Sequence, residues 1–151
     1  EAPVGDVAAR TAGYYRLYER MVRQADRITR DDGRPFFHFV QPNQYDRGSK
    51  PLSEEEVRER ITNDWFDLVS GQYDELRAIA ARLRERGVRS RDLTQVFAGT
   101  RETVYADDCC HLNQRGLEIL SNAMVDHILA SGEVDGVSAP LCDARDEERP
   151  G

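Results

Sequence analysis

The chain has 151 residues, enough for one domain with its own core, and at 39% hydrophobic and 32% charged its composition argues against pervasive disorder or collagen-like repeats. Its 28 acids outnumber its 21 Lys and Arg, for a net charge of -7; neutralising phosphates needs a basic face, so nucleic acid is excluded as a partner. No apolar run approaches the roughly 20 residues that cross a bilayer, so no transmembrane segment is expected, and Glu1–Arg10 lacks the charged-then-apolar order of a signal peptide.

Residues 1–6 lack periodicity and read as a frayed terminus, 7–130 as one domain, and 131–151 as a charged tail. From Val7 onward Tyr14, Leu17, Met21, Ala25 and Ile28 recur at helical spacing, with Arg16, Arg20, Arg23 and Arg27 opposite. This predicts an amphipathic helix with the first set buried, ended by Asp31-Asp32-Gly33 and Pro35. Phe36–Gln41 is short, aromatic and bounded by prolines, and reads as a buried strand in which His38 is a packed residue. Asn43, Gln44 and Tyr45 follow its carboxyl end, where open α/β sheets bind ligands. Asn43 and Tyr45 are therefore candidate substrate-binding residues, with a plain polar turn as the other reading.

Ser53 and Glu56 form a capping box, behind which Val57, Ile61, Trp65 and Leu68 repeat along one face. Tyr73, Leu76, Ala80 and Leu83 mark another helix, with Gly87 as its stop. Val88–Val96 should hold a short strand or turn, and Thr103-Val104-Tyr105 a short extended piece. A last helix begins after Asn113, whose side chain can cap the amide of Gly116, and is expected to bury Leu117, Leu120, Met124 and Ile128 and to leave His127 in solvent. Gly116 would let this helix end lie close against neighbouring backbone. Strands alternating with long helical crossovers predict an α/β layer with a parallel sheet.

Just ahead of the last helix stands Asp107-Asp108-Cys109-Cys110-His111-Leu112-Asn113. An imidazole held at a helix start, with a carboxylate three residues earlier within reach of its far nitrogen, has the makings of a general base and its orienter. By that offset the acid is Asp108, with Asp107 one residue too early. Asp108-x-x-His111-Leu-Asn-x-x-Gly116 resembles the last conserved block of the SGNH (GDSL-type) esterases and lipases, in which this Asp and His complete a Ser-His-Asp triad.

The resemblance implies a flavodoxin-like three-layer αβα sandwich of which this chain covers the carboxyl-terminal portion, with a short parallel sheet. It implies carboxylic-ester hydrolysis without a cofactor, on an acetyl, acyl or lipid ester, with His111 and Asp108 catalytic. The family's Gly-Asp-Ser nucleophile turn is not in this chain: the one Gly-Asp pair, Gly5-Asp6, is followed by Val7. Serine and oxyanion donors would lie outside it, leaving the isolated chain inactive and its sheet to be completed by another chain or by upstream sequence. The rival expectation is a non-catalytic binding or scaffold module that keeps part of the fold.

Cys109 and Cys110 beside the histidine could suggest a metal, but adjacent cysteines seldom both reach one tetrahedral ion and no C-x-x-C accompanies them, so none is expected. A bridge from Cys109 or Cys110 to Cys142 would tie down the tail, stabilise by about 3 kcal/mol through loop entropy, and imply an extracytoplasmic or secreted setting. Free buried thiols in a cytosolic protein are the other reading, so the compartment stays open.

Overall fold

The computed structural model describes residues 7–59, 69–107 and 110–132. Ile61, Trp65, Leu68, Asp108, Cys109 and Cys142, and both terminal segments apart from 131–132, lie outside them.

The elements are α1 (Val7–Asp31), β1 (Phe37–Val40), α2 (Glu54–Glu59), α3 (Tyr73–Glu85), β2 (Arg89–Asp92) and α4 (Gln114–Ala130). The two strands pair in parallel, Phe37 opposite Arg89 through Val40 opposite Asp92, and the amide of Leu93 extends the ladder to the Val40 carbonyl at 2.9 Å. The expected α/β class with a short parallel sheet is therefore observed. The crossover between the strands carries α2 and α3, and Gly87 ends α3 in the left-handed region (φ 82°) that residues with a Cβ disfavour. There the amides of Gly87 and Val88 satisfy the carbonyls of Arg84 and Leu83.

Because successive strand residues point to opposite faces, β1 is packed on both. His38 and Val40 turn toward α1 and α3, Val40 clustering with Tyr73 and Ala80. Beside them Val22 of α1 meets Ile79, Leu83 and Val88, with Tyr15, Tyr18 and Phe36 against them. Phe39 joins the other cluster, Leu93, Phe97, Val104, Tyr105 and Leu120, over which α4 lies. Fully buried side chains such as Phe97 and Leu83 each contribute about 1.5–3 kcal/mol of burial free energy.

Three expectations about helix faces need correction. On α1 the packed side is Tyr15, Tyr18 and Val22, while Tyr14, Leu17, Met21 and Ile28 are exposed, Tyr14 and Met21 by more than 60%. The helix thus carries two apolar stripes, and only one meets this core. In α2 it is Glu56 that is buried and Val57 that is exposed. On α4 Leu117 is exposed, and His127 is half-buried rather than in solvent: it makes T-shaped contacts with Phe37 and Phe39, ring centroids 6.3 and 5.7 Å away. No helix among the described residues is long and apolar enough to cross a membrane.

Candidate active site

His111 stands at the end of a loop whose base is an antiparallel bridge between Tyr105 and Leu112. Ala106 donates its amide to the His111 carbonyl and Asn113 donates its own to the Val104 carbonyl, both at 2.9 Å. Asn113 then caps α4, as its position predicted: its Oδ1 accepts from the Gly116 amide at 2.9 Å, while its Nδ2 donates to the Thr103 carbonyl at 2.7 Å. A Cβ on Gly116 would stand 2.5 Å from the Val104 carbonyl oxygen, so a glycine here lets α4 start directly against the loop.

An acid on the imidazole is Asp107; the expected one, Asp108, lies outside the described residues. Asp107 Oδ1 accepts from the amides of Cys110 (3.1 Å) and His111 (3.2 Å), and this turn carries Oδ2 onto His111 Nδ1, which donates to it. The bond to Asp107, and its charge, raise the His111 pKa above 6.5. The ring is otherwise open to solvent, its side chain 79% exposed, and Nε2 has no protein partner among the described residues. One nitrogen is fixed by a carboxylate while the other is presented outward, the arrangement a general base requires. Cys110 is disulfide-bonded, and the chain's other two cysteines, Cys109 and Cys142, both lie outside the described residues.

The loop after β1 abuts this one. Gln44 Nε2 donates to the Asp107 carbonyl at 3.0 Å, joining the carboxyl end of β1 to the histidine loop. Asn43 and Tyr45, the candidate substrate residues, are both buried, and Asn43 Oδ1 accepts from the Tyr45 amide at 2.9 Å. They build the turn that presents Gln44. Asp46 is buried and ion-paired to Arg77 at 2.7 Å, and Arg77 also donates to Thr94 just beyond β2 at 3.3 Å. The segments following both strands are thereby held together. Burial, followed by the charge of Asp46, pushes the Tyr73 hydroxyl up to about 12, although a hydrogen bond with Asn43 opposes this.

Beneath the loop lies a device that sequence spacing half revealed. Ser53 and Glu56 make the predicted capping box: the Glu56 amide donates to Ser53 Oγ at 3.2 Å and the Ser53 amide donates to Glu56 Oε2 at 2.8 Å. The same carboxylate pairs with Lys50 at 2.6 Å, both side chains at most 1% exposed, and its other oxygen accepts from the amides of Val104 (2.8 Å) and Tyr105 (3.1 Å). Burial alone would raise the Glu56 pKa. The bonds from Lys50, Ser53, Val104 and Tyr105 outweigh it and bring the group below the usual carboxylate range.

A groove of about 580 Å³ runs between residues 91–96 and the last turns of α4, lined by Leu93, Val96, Ala123 and His127 among others. His111 precedes the opposite end of that helix, which at 1.5 Å per residue puts the groove roughly 15–20 Å along the axis from the loop. It is separate from the site. Among the described residues no three His, Cys, Asp or Glu side chains are grouped to hold a metal ion. No family model, curated protein or solved structure matches the chain.

Proposed function

We propose that this chain supplies the general base and its orienting acid to an ester hydrolase of the SGNH type, in which a serine and the oxyanion donors come from another stretch of polypeptide. One observation carries the proposal: His111 is exposed, with Nδ1 held by Asp107 and Nε2 unengaged among the described residues. In this reading His111 takes the proton from the serine hydroxyl as its oxygen attacks the ester carbonyl, then returns it to the leaving alcohol. In the same reading Asp107 fixes the tautomer and stabilises the imidazolium.

The surroundings support this. The segment at the carboxyl end of β1 abuts the His111 loop through Gln44, at the end of the strands where open α/β sheets usually bind ligands. Helices on both faces of the pair agree with part of a flavodoxin-like αβα sandwich. An isolated two-stranded sheet is marginal on its own, and the exposed stripe of α1 is an apolar surface left for a further element. A disulfide at Cys110 fits an oxidising compartment.

The test pairs fluorophosphonate labelling with p-nitrophenyl acetate hydrolysis. The 151-residue chain is expected to be inert to both, and the chain joined to the polypeptide encoded directly upstream to be active. In that longer protein His111→Ala should lower the rate by about 10²–10⁴ without loss of fold, and Asp107→Ala should do the same to a lesser degree. Labelling of the chain alone, or full activity in the His111→Ala protein, would overturn the proposal.

The same unpartnered α1 stripe also supports a second reading, a binding module that completes its fold on a partner. There His111→Ala leaves binding intact and no hydrolysis appears in the longer protein.

A further inference from the structure

A buried ion pair is a poor source of stability, because desolvating both charges offsets most of their attraction. Lys50 and Glu56 are nonetheless almost wholly inside, and the accepting capacity of Glu56 is taken up by one ammonium and three backbone amides. Two of those amides are successive, Val104 and Tyr105, and both converge on Oε1. In a regular strand, successive amides point to opposite sides. One acceptor therefore draws both amides to the same side, a departure from a regular strand. From there spring the Tyr105–Leu112 bridge and the Ala106 to His111 hydrogen bond, so the carboxylate fixes the base of the loop on which Asp107 and His111 face each other. Thr103, one residue earlier, is tied to the same helix start through Ser53 Oγ at 2.9 Å and Glu55 Oε2 at 3.0 Å.

We infer that Glu56, anchored by Lys50, is a positioning residue for the His111–Asp107 pair, acting through the Val104 and Tyr105 amides rather than on substrate. The inference rests on the proposed role of His111 for its meaning, but its test requires no hydrolysis.

Two double variants isolate the amide clamp from the charge. Lys50→Met with Glu56→Gln is neutral and keeps an oxygen for the amides; Lys50→Met with Glu56→Leu is equally neutral and removes it. In the first, NMR titration of the His111 ring should retain a midpoint above 6.5, with the Val104 and Tyr105 amides protected from exchange. In the second, the midpoint should fall to about 6.5 and those amides should exchange at least tenfold faster. Should the leucine variant not fold, Glu56→Asp keeps the charge beside Lys50, withdraws the oxygen by one methylene, and should shift His111 in the same direction. An unchanged His111 midpoint in whichever of these folds, with the two amides freely exchanging, overturns the inference. A working clamp in a protein that never hydrolyses an ester would instead overturn the hydrolase reading alone.

Discussion

His38 and His111 are the same side chain placed in opposite circumstances. His38 is buried at the centre of β1, with Nε2 2.7 Å from the Tyr18 hydroxyl and Nδ1 2.8 Å from Ser90 Oγ. Both partners are neutral, so burial dominates and lowers its pKa below 6.5. His111 is exposed and meets a carboxylate, so its pKa rises. One imidazole serves as a strut between α1, β1 and β2, its charged form disfavoured by burial, and the other stands at the surface with its charged form favoured by a carboxylate. Titration behaviour here follows from what the ring touches, and only the second placement suits proton transfer.

Substitution gives the coarsest way to break this contrast. His38→Ala strands the Tyr18 and Ser90 hydroxyls and opens a cavity, and should cost about 2–4 kcal/mol in urea unfolding, whereas His111→Ala should leave the denaturation midpoint in place. Equal losses would mean that His111 is also structural. Gly116→Ala comes next: its methyl would meet the Val104 carbonyl, and despite the better helix propensity of alanine it should cost about 1–3 kcal/mol. Because the strain falls at the base of the loop, the His111 resonances should move and those of His38 should not.

Acidity sharpens the contrast further. The folded pKa of His38 lies below its unfolded value of 6.5, so its contribution is complete above pH 6.5 and declines as pH falls through the folded value. For His111 the folded pKa is the higher one, so any contribution is complete below pH 6.5 and is lost as pH rises through the folded value. Two-dimensional NMR titration should give midpoints on opposite sides of 6.5, and coincident midpoints would erase the distinction. The smallest expected effect is that of Asp107→Asn, which should bring the His111 midpoint down toward 6.5 and leave His38 untouched.

Helix and strand positions were legible because their signals are local. The repeat in α1, the Ser53–Glu56 box, the Gly87 stop and the Asn113 cap each depend on residues within a turn or two of one another, and each is found where expected. What escaped depended on distant partners. Periodicity revealed α1 but not which of its apolar stripes meets this core. Periodicity points Val57 of α2 inward because it does not announce that Lys50 and the amides of Val104 and Tyr105 await Glu56. Helical spacing leaves His127 toward solvent because it does not show that the rings of Phe37 and Phe39 in β1 meet it. At the site, the position of His111 before a helix singles it out, while the three-residue offset points to Asp108 and sets Asp107 aside. The contact from Asp107 follows from a turn closed by its own Oδ1, which spacing along the chain does not reveal.

The outward stripe of α1 also governs how the purified chain should behave. Four large side chains spaced along one side of a long helix form a sticky seam, so anilinonaphthalene sulfonate fluorescence should rise on mixing and sedimentation should become concentration-dependent. Loading at high dilution, or replacing Leu17 and Met21 with glutamate, should suppress both and give a monodisperse sample for the titrations.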